Sequence, residues 1–275
     1  MPVRSEPGGI ARARLCPREI VAALAIATFA AACGAREPQT EAERLARGRE
    51  IVERMSAALA GAKAFKVTTV ETRQEAGRSG TIRKVTLTRE TSVRRPDRLY
   101  SKATGDRSNE TWYDGVGITL VLHEAKVFGQ GRAPETLDKA LDALDERYGI
   151  SAPFSDYAYS SPAKALLTDT TTGGWVKRED DEGVETDHLA FKDTGVQFDL
   201  WIPTKGDPLP RRASTTFDSD KRLKRVDTTF RGWDLAPALS DEQFKPTVPA
   251  DYEGVALLQR AAVLRNAVAE RGAQP

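Results

Sequence analysis

The chain has 275 residues, with 41 Lys and Arg against 40 Asp and Glu, so its formal net charge is only +1. That balance, without a basic block able to neutralise a row of phosphates, argues against a nucleic-acid partner. Two cysteines and a 40% hydrophobic content point to an apolar core rather than disulfide staples as the source of stability.

The first residues decide which of the others persist. Arg4, Arg12, Arg14 and Arg18 precede an apolar run from Ile20 to Ala32. At 13 residues it is too short to span a bilayer as a helix and suits the core of a signal peptide. Phe29-Ala30-Ala31-Ala32-Cys33-Gly34 then resembles the lipobox of bacterial lipoproteins, in which the leader is removed and the cysteine bears lipid. Ala30 stands where a lipobox usually has Leu. An ordinary Ala-x-Ala site would be cut at the same bond, between Ala32 and Cys33. Residues 1–32 are thus expected to be a signal peptide, and residues 33–40 a tether lipidated at Cys33. The leader holds four Arg and two Glu, so the mature side chains carry about −1. It also holds Cys16, which leaves Cys33 with no partner for an internal disulfide.

Thr40-Glu41-Ala42-Glu43 reads as a capping box, and Leu45, Val52, Met55 and Leu59 form one apolar stripe of a helix ended by Gly61. From Phe65 the period becomes two. Strands are expected near Phe65–Val70, Thr81–Glu90 and Leu99–Thr104, the last two separated by Pro96-Asp97. Thr111–Tyr113 and Ile118–Leu122 flank Asp114-Gly115, a tight-hairpin dipeptide. Leu137, Leu141 and Leu144 mark a helix stopped by Gly149, and a second helical segment over Ser155–Leu167 is broken at Pro162. Strands resume at Gly174–Glu179, Val184–Lys192, Val196–Ile202, Arg212–Asp218 and Lys224–Arg231, with a short helical turn at Ser240–Phe244. Leu257, Ala261, Leu264 and Val268 predict a C-terminal helix over Val255–Glu270. The order is meander, helices, meander.

Six motifs in this order resemble a bacterial family of predicted periplasmic proteins without an assigned activity. They are Arg95-Pro96-Asp97-Arg98-Leu99, Tyr113-Asp114-Gly115, Leu141-Asp142-Ala143-Leu144 with Arg147-Tyr148-Gly149-Ile150, His188-Leu189-Ala190-Phe191, Leu200-Trp201-Ile202 and Pro208-Leu209-Pro210-Arg211-Arg212. The resemblance covers about residues 41–252. One departure is visible: Thr186 and Asp187 stand where members often have a cysteine. The family resembles the LolA/LolB lipoprotein-carrier fold. The resemblance implies an α+β, mainly β, domain: a curved, incompletely closed antiparallel half-barrel covered by helices. Residues 253–275 would follow it as a C-terminal helix or tail.

Residue patterns give no enzyme. His123 and His188 lie singly on strands, and no His/Cys spacing supplies a metal site. The acids Glu179–Glu182 read as a solvated hairpin tip rather than a general-acid pair. Gly129-Gln130-Gly131 lacks the third glycine or Lys-Ser/Thr of a phosphate cradle, and no Gly-x-Ser-x-Gly elbow exists. No cofactor is expected.

What remains is a cavity, an idea that rests on the fold resemblance. Phe65, Val67, Val85, Leu87, Leu120, Leu122, Phe198, Leu200, Ile202, Val226 and Phe230 would form the apolar face beneath the helices. If the helices pack fully, these residues are core; if they stand off, they line a tunnel for acyl chains. Arg211 and Arg212 are either head-group contacts at its mouth or solvent-facing charges. Trp112, Trp175, Trp201 and Trp233 either mark a rim or pack. The expectation is a periplasmic protein held at the membrane, the outer one given Gly34 after Cys33, by the Cys33 lipid. It would bind a lipid or the acyl chains of a lipoprotein as carrier or receptor. The alternative is an envelope interaction lipoprotein with a filled core and a protein partner.

Overall fold

Thr40 starts the first element of a computed structural model that describes residues 36–77, 80–148, 150, 154–218 and 223–257. Its hydroxyl accepts from the Glu43 amide at 3.1 Å, and the Glu43 carboxylate accepts from the Thr40 amide at 3.0 Å. This reciprocal cap satisfies donors that a helix start leaves open. It begins α1, Glu41–Gly61, whose buried stripe includes Ile51, Val52, Met55 and Leu59. The chain divides into Met1–Glu37, of which only Arg36 and Glu37 are described, and a second unit, Pro38–Pro275.

Period-two alternation then gives β1 (Ala64–Ala76), β2 (Ile82–Arg94), β3 (Arg98–Gly105), β4 (Asn109–Tyr113), β5 (Gly117–Leu122) and β6 (Val127–Arg132). Each runs antiparallel to the one before. At the β4–β5 turn, Asp114 accepts from the amides of Val116 and Gly117 at 3.0 and 2.8 Å. The chain then leaves the sheet for α2 (Leu137–Ala143), one π-helical turn (Leu144–Tyr148), α3 (Ser155–Ala158) and α4 (Pro162–Leu167). Pro162 opens α4 in the first turn, where its missing N–H costs nothing.

The second meander is β7 (Thr172–Asp181), β8 (Val184–Asp193), β9 (Val196–Pro203), β10 (Arg212–Phe217) and β11 (Leu223–Asp234). After a 3₁₀ turn at Asp241–Phe244 comes β12, Glu253–Ala256. Among the described residues these twelve strands form one curved, unclosed sheet in the order β12-β6-β5-β4-β3-β2-β1-β11-β10-β9-β8-β7. The meanders join where β1 pairs antiparallel with β11. The mainly β half-barrel with helices on one face is thus the fold.

Two close approaches set how other elements meet the sheet. A Cβ on Gly48 of α1 would stand 2.6 Å from the Gly174 Cα of β7, and a Cβ on Gly174 would stand 2.2 Å from the Arg44 carbonyl oxygen. Only glycines let the α1 backbone lie directly on the edge strand. At the opposite edge, a Cβ on Gly129 of β6 would stand 2.6 Å from the Leu257 side chain.

That second contact corrects the expected C-terminal helix at its start. Glu253–Ala256 is instead a strand, parallel to β6, with the Glu253 amide donating to the Lys126 carbonyl at 2.9 Å. Val255 and Leu257 therefore answer to the sheet edge rather than to helical spacing. The remainder of the expected helix, residues 258–270, lies outside the described residues.

Candidate binding pocket

The covered face changes character along β1. Phe65 and Val67 are buried beneath the helices; Thr69, Glu71 and Arg73 follow on the same face. Glu71 accepts from Arg89 Nε at 2.9 Å, from an Arg73 guanidinium nitrogen at 2.7 Å and from the Thr69 hydroxyl at 3.2 Å. Arg89 also donates to Ser101 Oγ at 3.1 Å. Burial alone would raise the Glu71 carboxyl; Arg89 and Arg73 outweigh it and hold the carboxyl below its ordinary range. Most polar groups of this floor are thus tied to one another, as burial requires; Arg73 Nε is buried without a partner among the described residues.

Above the floor the helices leave a pocket of about 150 Å³. The sheet contributes Arg89, Thr91, Leu99, Ser101, Thr111 and Leu120. The helical lid adds an apolar wall of Leu141, Leu144, Ile150 and Phe154, and a polar end of Asp145, Ser155, Asp156 and Tyr159. The π turn brings Leu144 and Asp145 to the pocket together. Asp145 and Ile150 are exposed and mark the mouth, whereas Asp156 sits deeper, half-buried. Burial, then the charge of Asp145, pushes the Asp156 carboxyl up to about 6.

Few polar ties hold the lid. Arg95, at the end of the β2–β3 hairpin, donates to the carbonyls of Ala158 and Tyr159 at 2.9 and 2.8 Å. Tyr113 donates to the Pro134 carbonyl at 2.6 Å, and Asp138 accepts from the Ser160 amide at 2.8 Å. Aromatic rings lock α3 beside the pocket: Tyr157 meets Phe230 edge-on at 5.1 Å, and Phe154 lies 6.4 Å from Phe65 and 6.5 Å from Trp233.

Of the eleven residues expected to line a cavity, Leu120 reaches this pocket. Phe65, Val67, Phe198, Leu200, Ile202 and Phe230 are packed into the core under the helices. Leu87 is buried level with Glu71, and Val85 and Val226 are buried one step beyond it, opposite Arg73. Leu122 is 49% exposed, because it ends β5 past the reach of the lid. The expected mouth residues face elsewhere. Arg211 and Arg212 both donate to the buried Asp181 carboxylate at 3.0 Å, and Arg212 stacks 4.3 Å over Trp201. They border a separate open groove of about 720 Å³, lined also by Asp180–Glu182 and Trp233, in which Arg211 pairs with Asp181 and Glu182 and Arg212 with Asp181. Cys33 lies outside the described residues.

Both histidines have partners. His123 bridges Tyr252 at 2.8 Å and Glu110 at 3.1 Å; His188 bonds Asp199 at 2.7 Å and stacks on Trp201 at 4.4 Å. Among the described residues no cluster of His, Cys, Asp and Glu could hold a metal, and no helix is long and apolar enough to cross a membrane.

Residues 48–258 match the family model described as "Predicted periplasmic protein (DUF2092)". The chain belongs to this family. No curated protein matches it. Similar solved structures include an uncharacterized conserved protein from Thermus thermophilus, at 14% identity and a TM-score of 0.44 over 76% of this chain and 98% of that one. The lipoprotein LppX of Mycobacterium tuberculosis is 15% identical, with a TM-score of 0.43 over 70% of this chain and 96% of its own. A LolA superfamily protein from Nitrosomonas europaea is 11% identical, with a TM-score of 0.39 over 73% and 98%.

Proposed function

We propose that this protein binds an acyl chain between its sheet and its helical lid, as a periplasmic carrier or receptor of lipids or lipoproteins anchored by lipid at Cys33. The observation that carries the reading is the pocket wall of Leu99, Leu120, Leu141, Leu144, Ile150 and Phe154, which opens at Ile150. Its family description supports a periplasmic setting, and the lipobox-like leader supports the anchor and, with Gly34, the outer membrane. Binding is non-covalent and asks nothing of a cofactor.

Size limits what the closed form holds. A space of 150 Å³ takes about one benzene ring or six carbons. At roughly 0.8 kcal/mol per methylene this yields about 5 kcal/mol, a dissociation constant near the millimolar range. A longer chain therefore requires α2 and α3 to lift, against the Arg95 bonds to the carbonyls of Ala158 and Tyr159 and the Leu137 amide bond to the Pro96 carbonyl.

The test is native mass spectrometry of the full chain, exported through its own leader and purified without a lipid-stripping detergent, followed by organic extraction. A stoichiometric acyl lipid, lost in a folded Leu141→Trp variant that fills the pocket, is the expected result. An empty protein that also refuses added long-chain alcohols and long-chain amines overturns the reading. The filled core beneath α1, where Leu200 and Ile202 are fully packed, would then favour an interaction lipoprotein that docks another envelope protein.

A further inference from the structure

We propose that the ligand of this pocket carries a protonated amine beside its apolar chain, held at the pocket's polar end by Asp156 and, nearer the mouth, Asp145; the proposal rests on the pocket being an acyl site. The two acids come from different elements, α3 and the π turn, and meet at one end of an otherwise apolar wall. Other acids of the lid are occupied: Asp138 accepts from the Ser160 amide and hydroxyl, and Asp142 from the Tyr159 hydroxyl at 2.8 Å. Asp156 has no hydrogen-bond or ion-pair partner among the described residues; its strongest charged neighbour is Asp145, another anion.

The cations named around the pocket each have a partner of their own, although Arg73 and Arg89 share the one carboxylate of Glu71. On the floor, Arg89 is bonded to Glu71 and Ser101, and Arg73 to Glu71. Arg95 serves the carbonyls of Ala158 and Tyr159. Tyr159, the remaining titratable group on the lining, stays neutral because burial and Asp142 raise its hydroxyl. An ammonium at the polar end would relieve both carboxylates and hydrogen-bond to Asp156, while its chain lies on Leu141, Leu144 and Phe154. A fatty-acid carboxylate there would add a third negative charge. The chemical class is an amine-bearing amphiphile, an aminolipid head group or a long-chain base alike.

Ligand-observed NMR titration of the full chain with hexylamine, hexanol and hexanoate tests this, the six-carbon chains matching the closed pocket. At pH 7.5 hexylamine is expected to bind at least about tenfold more tightly than hexanol. That preference, read as the ratio of the two affinities, should fall at pH 4.5, where Asp156 is protonated and the amine still charged, and in Asp156→Asn, to no more than the share that Asp145 supplies. Asp145→Asn, at an exposed position, supplies a second variant and should weaken the preference in part. Hexanoate binding as well as hexylamine, or a preference that survives both substitutions, overturns the amine assignment while leaving the acyl site standing. Amine binding that needs Asp156 without any hexanol binding overturns the acyl site and keeps the acidic end. Failure of all three ligands removes both.

Discussion

The covered face of the sheet meets two lids with different results. Under α1 and α4 it is closed by Ile51, Met55, Leu59, Leu189, Leu200 and Ile202, each 2% exposed or less. Under α2 and the π turn the same face presents Arg89, Thr91 and Ser101, and the lid stands off by about 150 Å³. The difference follows from where polar groups find partners. Arg89 and Glu71 satisfy each other along the sheet and offer nothing upward, so Leu141 and Leu144 face a mixed floor in which Leu99 and Leu120 are interspersed with Arg89, Thr91 and Ser101. A sheet can fill its core with one half and leave room with the other simply by turning its inward residues polar.

The largest test of that contrast is Glu71→Gln, which leaves Arg73 and Arg89 buried without a counter-charge. A loss of about 3–5 kcal/mol in urea unfolding at pH 7 is expected. Because the Glu71 carboxyl is held low, its contribution is fully present above its unfolded pKa of about 4.3 and fades as pH falls through the lower folded value. The wild-type advantage over the variant should therefore shrink below about pH 4. Next comes a matched pair. Leu200→Ala, in the filled half, should cost about 4 kcal/mol, whereas Leu141→Ala, already facing free volume, should cost about 2 kcal/mol. Equal losses would mean that the two halves are packed alike.

The smallest effect has the opposite sign. Asp156 is raised rather than lowered, so its ionisation destabilises the fold above about pH 6, a penalty relieved as pH falls toward about 4. Asp156→Asn should stabilise the protein by about 1–2 kcal/mol at pH 7.5 and by nothing measurable at pH 4. A melting-temperature series across that range reads the crossover.

Alternation and turn residues made most of this sheet legible in the sequence, because period two is imposed wherever one face is buried. The helical interruption at Leu137–Leu167 was equally plain from its leucine spacing and Pro162. β6 was not, since Phe128-Gly129-Gln130-Gly131 offers little of the β-branched content that marks a strand. Its glycines are there because Leu257 lies close over Gly129, a constraint set more than a hundred residues away. The polar floor had a signal that was readable: Glu71 and Arg73 continue the Phe65-Val67-Thr69 face in register. What spacing alone could not supply was the partner of each charge. Arg211 and Arg212 look like free cations at a strand start until the fold brings Asp181, from a different hairpin, beneath them.

The parallel pairing of β12 with β6 has a consequence for how the protein comes into being. β6 belongs to the first meander, yet the strand that shields its outer edge is encoded almost at the end of the chain. A chain made N-terminus first can form β6 and its five preceding neighbours while that edge still presents bare amide and carbonyl groups. Such an edge is a template for any extended segment nearby. The fold therefore depends on β12 arriving promptly, and a copy cut short before Glu253 would keep an adhesive margin for life.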